Sequence, residues 1–328
     1  MAYGGGGHLR ATAPRGGLEE EVSGRPLISI AVPCYNTASL LGWALSSLVA
    51  QSYEEWECIV VDDGSDDHPG EIVAAFQDER FHLITLDNRV GRATARQVAV
   101  DAANGEFLAK LDADDWIYPD KLALQLAAMQ EKSEVALVST GIAIQDEQER
   151  LVGVRARGTA GCVQSCPPLS RLAPPPVAHA PSLIRMDIAK RYRYNQSLAR
   201  SEDADFLIQV LMENRYCMLH EVLYAYREYR SVSLQDTLEA YRSRMKMFWM
   251  ARRYQPAPAL WHSIVTALKL MIYRAAFMTG QDRKLIARRS SAPTADDLRN
   301  FEQARYEVSR VYAATIGADA APADCECQ

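Results

Sequence analysis

The run Phe107-Leu-Ala-Lys-Leu-Asp-Ala-Asp-Asp-Trp116 constrains the fold of this chain more than any other stretch. Its first half carries the apolar and small residues of a strand covered on both faces. It then ends abruptly in Asp112, Asp114 and Asp115. Three carboxylates cannot follow the strand into a core, because unpaired buried charge is too costly. Either water meets them, as in the acidic turns that Asp commonly builds, or a cation does. Mg2+ and Mn2+ suit the second reading, since each typically takes one or two carboxylates and fills its other positions with water and substrate phosphates.

Around this strand the chain alternates. A strand from Leu27 to Pro33 precedes a helix from about Ser39 to Gln51, a strand from Trp56 to Val61, a helix from about Gly70 to Phe76 and a strand from Phe81 to Leu86. A helix from about Arg92 to Ala103 leads into the Asp-ended strand, and a helix from about Pro119 to Glu131 precedes the apolar run Val135 to Ser139. Such alternation predicts right-handed crossovers and an α/β fold with a mixed, mostly parallel sheet. Ligands of such sheets sit outside the carboxyl ends of the strands. Pro33, Cys34, Tyr35 and Asn36 fall there after the first strand, and Asp62, Asp63, Gly64, Ser65 and Asp66 after the second. Two acidic clusters at one sheet edge are harder to explain as plain turns than either alone.

Residues 1–26, glycine-rich with Glu19-Glu20-Glu21, are expected to be a disordered leader. An α/β domain over 27–233, a helical region over 234–314 and a tail over 315–328 follow. Between Leu151 and Pro181 periodicity fades and prolines gather, which predicts a lid or binding loop, or else a mobile segment. Lys+Arg 36 against Asp+Glu 42 leaves a formal net charge of -6, so the chain has no general attraction for nucleic acid or an anionic membrane, and only local basic patches could supply one. Seven scattered cysteines read as reduced thiols of a cytosolic protein, and no secretion signal is recognisable. Cys162-x3-Cys166 and Cys325-x-Cys327 lack the partners of a zinc site. In the helical region, Lys269 and Arg274 interrupt the apolar run Ser263 to Thr279, so it is too short for a membrane span. Packing on the first domain is one expectation for it. Peripheral contact with the inner face of a membrane, helped by Arg283, Lys284, Arg288 and Arg289, is the other.

Pro33-Cys-Tyr-Asn36, Val60-Val-Asp-Asp-Gly-Ser-Asp66, Gly91 to Arg96, Ala103-Asn-Gly-Glu106, Leu111-Asp-Ala-Asp-Asp115 and Ser201-Glu-Asp203, in this order, resemble family 2 of the glycosyltransferases. The resemblance covers about Leu27 to Ser233. It implies a GT-A fold and inverting transfer of one sugar from a nucleotide-diphospho-sugar, most readily a UDP-sugar, to an acceptor hydroxyl of a glycan, lipid-linked or small-molecule acceptor. By the same resemblance Pro33, Tyr35, Asp62, Asp63 and Arg96 would bind the nucleotide. Asp112 would meet the ribose or the metal, Asp114 would hold the metal, Mn2+ or Mg2+, and Asp203 would be the general base.

Bland readings accompany these assignments. Arg96 could be a helix-surface charge, Ser201 and Asp203 an N-cap and first-turn acid of the helix from Asp203 to Asn214, and Asp115 a supporting acid or a turn residue. His179 could orient a hydroxyl or be a plain loop histidine. Gln97 stands where the family usually has Asn, and Tyr226-Arg-Glu-Tyr-Arg-Ser-Val-Ser233 lacks the family's frequent His, which puts a third protein ligand in doubt. Without a Gln-x-x-Arg-Trp pattern, a single-addition enzyme is expected. A catalytically silent nucleotide-sugar-binding protein is the alternative from another class. A dinucleotide-dependent dehydrogenase is disfavoured because no Gly-x-Gly-x-x-Gly follows the first strand.

Overall fold

The computed structural model describes residues 24–155, 158–159, 164–228, 234–281 and 289–317. Most of the expected leader and tail, Cys162, Cys325 and Cys327, Tyr229 to Ser233, and Arg283, Lys284 and Arg288 lie outside them.

One nine-stranded sheet organises the described chain, in the order β3-β2-β1-β4-β8-β6-β9-β5 with β7 beside β6. Its first half is parallel. β1 (Ile28–Cys34) lies between β2 (Trp56–Asp62) and β4 (Phe107–Lys110), and β3 (Phe81–Thr85) flanks β2. Beyond β4 the sheet is mixed: β8 (Leu183–Arg185) enters antiparallel between β4 and β6 (Val135–Gln145), while β9 (Arg215–Arg227) runs parallel to β6. The short β5 (Trp116–Ile117) closes on β9. β7 (Leu151–Arg155) pairs antiparallel with β6 inside the segment expected to be irregular. Its five residues are too few for period-2 alternation to stand out, and the hairpin partner supplies the order.

Alternation along the parallel strands sorts the core into two faces. Ile28, Ile30, Val32, Cys58 and Val60 face one side, while Ala31, Ile59 and Val61 face the other. The first side is covered by α1 (Ala38–Val49), α4 (Lys121–Glu131) and the C-terminal helix α9 (Ala295–Thr315), and α2 (Pro69–Ala75) lies beside α1. α3 (Arg92–Ala102), α5 (Met186–Ala189) and α6 (Glu202–Glu213) cover the second. α9 starts in a capping box, in which Thr294 and Asp297 satisfy each other's backbone N–H groups. Its Phe301, Ala304, Val308 and Tyr312 recur at helical spacing and are buried against the sheet layer. Gly42 of α1 lets it approach, for a Cβ there would meet the Tyr312 ring at 3.0 Å.

α7 (Leu234–Ala251) and α8 (Pro256–Met278) form a hairpin outside this core. Met247, Phe248 and Ala259 anchor it to Leu172, Leu198, Ala204 and Ile208. Tyr241 and Tyr273 pack between its arms with ring centroids 5.4 Å apart. Among the described residues no helix is long and apolar enough to cross a membrane.

Candidate active site

Register brings the sequence-predicted residues together. Cys34 pairs with Asp62 and Ala31 with Lys110, so β1, β2 and β4 end at one edge of the sheet. The loops that follow β1 and β2 are tied to each other. Asn36 N–H donates to Ser65 Oγ at 3.0 Å, and Asp66 N–H to Asn36 Oδ1 at 2.9 Å. Gly64, at φ +72, makes this possible, because a Cβ would lie 2.9 Å from the backbone of Asn88 and Arg89.

The two acids of this loop differ in their work. Asp63 accepts from the amides of Val90 (2.6 Å) and Gly91 (2.9 Å), and so fixes the segment entering α3. Asp62 accepts from Ser65 N–H at 2.9 Å. Arg89, unremarked in the sequence, lies 4.2 Å over the Tyr35 ring and forms a cation–π pair with it. A guanidinium two positions before a helix-opening glycine was its only sequence signal.

The acidic run is a tight turn: Asp115 N–H donates to Asp112 O at 3.0 Å. Asp115 itself is fully buried. It accepts from the Tyr224 hydroxyl at 2.8 Å and the Arg227 amide at 2.9 Å, and the same hydroxyl receives the Asp112 amide at 3.2 Å. Burial, with Asp114 and Asp112 beside it, drives its carboxyl well above the ordinary range. Of its two sequence readings, the supporting acid is the one observed. Arg227 also donates to Asp114 O at 2.8 Å, so β9 grips the turn from below. Asp112, with its side chain 33% exposed, and Asp114, half-buried, are the more open members.

Arg96 joins this turn to α6. Its side chain is 8% exposed; Nη2 donates to Asp112 Oδ1 at 2.8 Å and Nη1 to Glu202 Oε1. Burial works against its charge, but Asp112 and Glu202 outweigh burial and hold the guanidinium above its ordinary value. The helix-surface reading of Arg96 is therefore replaced by a buried bridge, whose partners lie 16 and 106 residues away in sequence. Glu202 is 1% exposed, and burial raises its carboxyl despite Arg96. Asp203 follows in the first turn of α6, half-buried, with Oδ1 on the Ala204 amide at 2.7 Å. Ser201 does not cap by its side chain. It adopts the left-handed region at φ 65, and its hydroxyl turns to Ala240 O. A non-glycine residue held there beside the candidate base is local strain that the surrounding packing must maintain.

Behind the site lies a polar interior. Lys110 Nζ donates to Ser182 Oγ at 3.1 Å, and Ser182 Oγ to His179 O at 2.6 Å. His179 shares a 2.7 Å hydrogen bond with the Tyr194 hydroxyl and is driven well below its ordinary value by burial, then by Lys110 and Arg96. It is thus a neutral core histidine and touches a tyrosine instead of an open loop. Gln97, the departure from the family pattern, accepts from Tyr194 N–H at 3.1 Å and has a structural use.

Among the described residues no group of three or more His, Cys, Asp or Glu side chains could hold a metal ion. Asp112 and Asp114 offer an all-oxygen pair on one turn, which suits a hard cation that completes its shell with phosphate and water.

The family described as Glycosyl transferase family 2 matches residues 29–169. EpsE of Bacillus subtilis (strain 168), described as a glycosyltransferase, is 30% identical over 211 residues, 62% of this chain and 73% of that protein. The UDP-Glc:alpha-D-GlcNAc-diphosphoundecaprenol beta-1,3-glucosyltransferase WfgD of Escherichia coli is 39% identical over 103 residues, 31% of this chain. The chain spans 44%, 41% and 36% of the first three curated relatives it matches. Among solved structures, S. aureus TarS 1-349 in complex with UDP-GlcNAc aligns over 88% of this chain and 82% of that one, with TM-score 0.54 at 19% identity. The mannosyltransferase PcManGT of Pyrobaculum calidifontis, in complex with GDP-Man and Mn2+, aligns over 90% and 88%, with TM-score 0.53 at 19% identity. These structures share the fold of the chain, a GT-A arrangement.

Proposed function

The chain belongs to glycosyl transferase family 2, and we propose that it transfers a single sugar from a nucleotide-diphospho-sugar to an acceptor hydroxyl with inversion. The observation that carries this reading is the Arg96 bridge, which ties the turn of Asp112 and Asp114 to the helix start bearing Asp203. Inversion needs the leaving group and the attacking hydroxyl on opposite faces of one carbon, and so needs two acidic walls held at a fixed separation.

In this mechanism Asp203 accepts the proton of the acceptor hydroxyl as its oxygen attacks the anomeric carbon. The bond from that carbon to the diphosphate oxygen breaks, and the nucleoside diphosphate leaves. Mn2+ or Mg2+ on Asp112 and Asp114 would supply electrostatic stabilisation of the charge on the departing diphosphate. Glu202 and Arg96 are positioning residues: they hold Asp112 and the first turn of α6 in register. Asp62 would accept from the N–H of the base, with Pro33, Tyr35 and Arg89 around it, while Asp63 holds the adjoining loop. Uracil fits this donor–acceptor pattern, and TarS binds UDP-GlcNAc. PcManGT binds GDP-Man, whose guanine offers an N–H as well, so UDP-sugar is a preference within one chemistry. A glycan or lipid-linked acceptor in cell-surface polysaccharide synthesis is the class consistent with the named relatives. Free thiols at Cys34, Cys58, Cys166 and Cys217 fit a cytoplasmic setting.

The test is a thermal-shift series with UDP, GDP and their sugar conjugates, with and without Mn2+, because a ligand of the folded state raises the melting temperature. A UDP-sugar with Mn2+ is expected to give the largest rise, and Asp112→Asn or excess chelator should remove most of it. No rise with any nucleotide sugar would overturn the proposal.

A further inference from the structure

The outer face of α8 is apolar and bare. Leu260, Trp261, Ile264, Leu268, Met271, Ile272 and Met278 are each between 48% and 80% exposed. At about 100° per residue they fall within an arc of about 120°, opposite the side where Ala259, Thr266 and Tyr273 meet α7 and the body. Scattered exposed apolar residues need no explanation, but seven on one arc of one helix form a contiguous stripe.

What covers the stripe is indicated by charge. Residues 240–281 contain no Asp or Glu in a chain of formal net charge -6. They carry Arg242, Arg244, Lys246, Arg252, Arg253, Lys269 and Arg274, all exposed. On the helical wheel Lys269 and Arg274 fall on the two sides of the apolar arc, where long cationic side chains can reach out beside a buried stripe. At the hairpin turn Arg252 lies 4.0 Å over Trp249 and Arg253 4.8 Å over Tyr254, and both rings are more than half exposed. Aromatic rings paired with cations at the rim of an apolar stripe match the boundary between headgroups and acyl chains. A second copy of this chain would instead bring two acid-free, cationic surfaces together.

We propose that the outer face of α8 seats the protein on an anionic phospholipid surface, with the helix lying in the plane of the interface. The assignment does not depend on the transferase reading. Tyr254 and Arg253 also border a cleft of about 890 Å3 whose wall includes Tyr194 and Asp205.

The full chain is tested by co-sedimentation with vesicles of phosphatidylcholine alone and of phosphatidylcholine with phosphatidylglycerol. Binding to the anionic vesicles is expected to exceed binding to neutral ones at least about tenfold and to fall with added salt. Ile264→Glu with Leu268→Glu should reduce it at least about tenfold, with the melting temperature unchanged because both positions are exposed. Tryptophan emission should shift to the blue on vesicles and be quenched by brominated lipid; Trp261→Phe should weaken that quenching. Absence of binding to anionic vesicles, or binding indifferent to the double variant, would overturn the proposal. So would a dimer in solution that the same variant splits, which would assign the face to a second copy.

Discussion

The cluster around Arg96 and the outer face of α8 depart from the ordinary distribution of polarity in opposite senses. At the first, Arg96, Glu202, Asp115 and Lys110 are charged or titratable groups with 6% exposure or less. At the second, Trp261, Met271 and Ile272 are apolar side chains 56% to 64% exposed. Each arrangement costs stability, the one through desolvation and the other through unburied surface. The buried cluster is tied internally, through hydrogen bonds and ion pairs that cross the sheet edge. Among the described residues the exposed face has no counterpart. A misplaced polarity that is satisfied inside the fold indicates positioning, and one left open indicates a partner.

Four perturbations would break or sharpen that contrast. The largest effect is expected at the base: Asp203→Asn should lower transfer, or donor hydrolysis in the absence of acceptor, by about 10²- to 10⁴-fold. Nucleotide-induced thermal stabilisation should stay near wild type, and unchanged turnover would remove Asp203 from its role. Next, Glu202→Ala leaves Arg96 with one carboxylate in a buried site and should cost about 3 kcal/mol in denaturant unfolding. Arg96→Met combined with Glu202→Leu should recover most of that stability without recovering turnover. If turnover returned as well, the bridge would be a packing feature only.

A third perturbation concerns Lys121, fully buried with its Nζ on Gln125 Oε1 at 2.7 Å, whose ammonium burial lowers to about 7. The unfolded lysine keeps its ordinary, higher value, so between about pH 7 and pH 10 the unfolded chain binds the extra proton. Stability therefore gains from this group as pH rises through that window, by up to about 1.4 kcal/mol per unit. Below it both states are charged and the penalty is constant. Lys121→Met should remove this slope in melts across pH 6.5 to 10, and an identical pH dependence in both proteins would show that the buried ammonium carries no such penalty. The smallest effect is expected on α8, where Ile264→Glu with Leu268→Glu should leave turnover on a water-soluble acceptor within about twofold. A large loss there would tie the helix to catalysis itself.

Local pattern was enough for the parallel half of the sheet. Continuous apolar runs ended by Pro33, Asp62 and Asp112 marked strands buried on both faces, and the helices between them dictated parallel crossovers. α9 falls within the region 234–314 expected to be helical, and its buried residues recur at helical spacing. β7 and β8 were not legible, since five and three residues acquire their conformation from β6 and β4. Among the candidate residues, Asp62 and Asp112 were readable as acids at a common edge, while Asp203 came only through the family resemblance. Sequence alone did not show that Asp63 would be taken up by the Val90 and Gly91 amides, or that Glu202 would meet Arg96.

By itself, then, the sequence determined which carboxylates reach the ligand edge, because that depends on where apolar runs stop. Only the tertiary structure decided which of them stay available and which are spent inside the fold, because their partners arrive from 27 to 112 residues away. The same holds for the two long C-terminal helices. α8 is the more apolar, yet α9 is the one that enters the core, since burial follows from the surface a helix meets, here Gly42 and Trp43 of α1, and not from its composition.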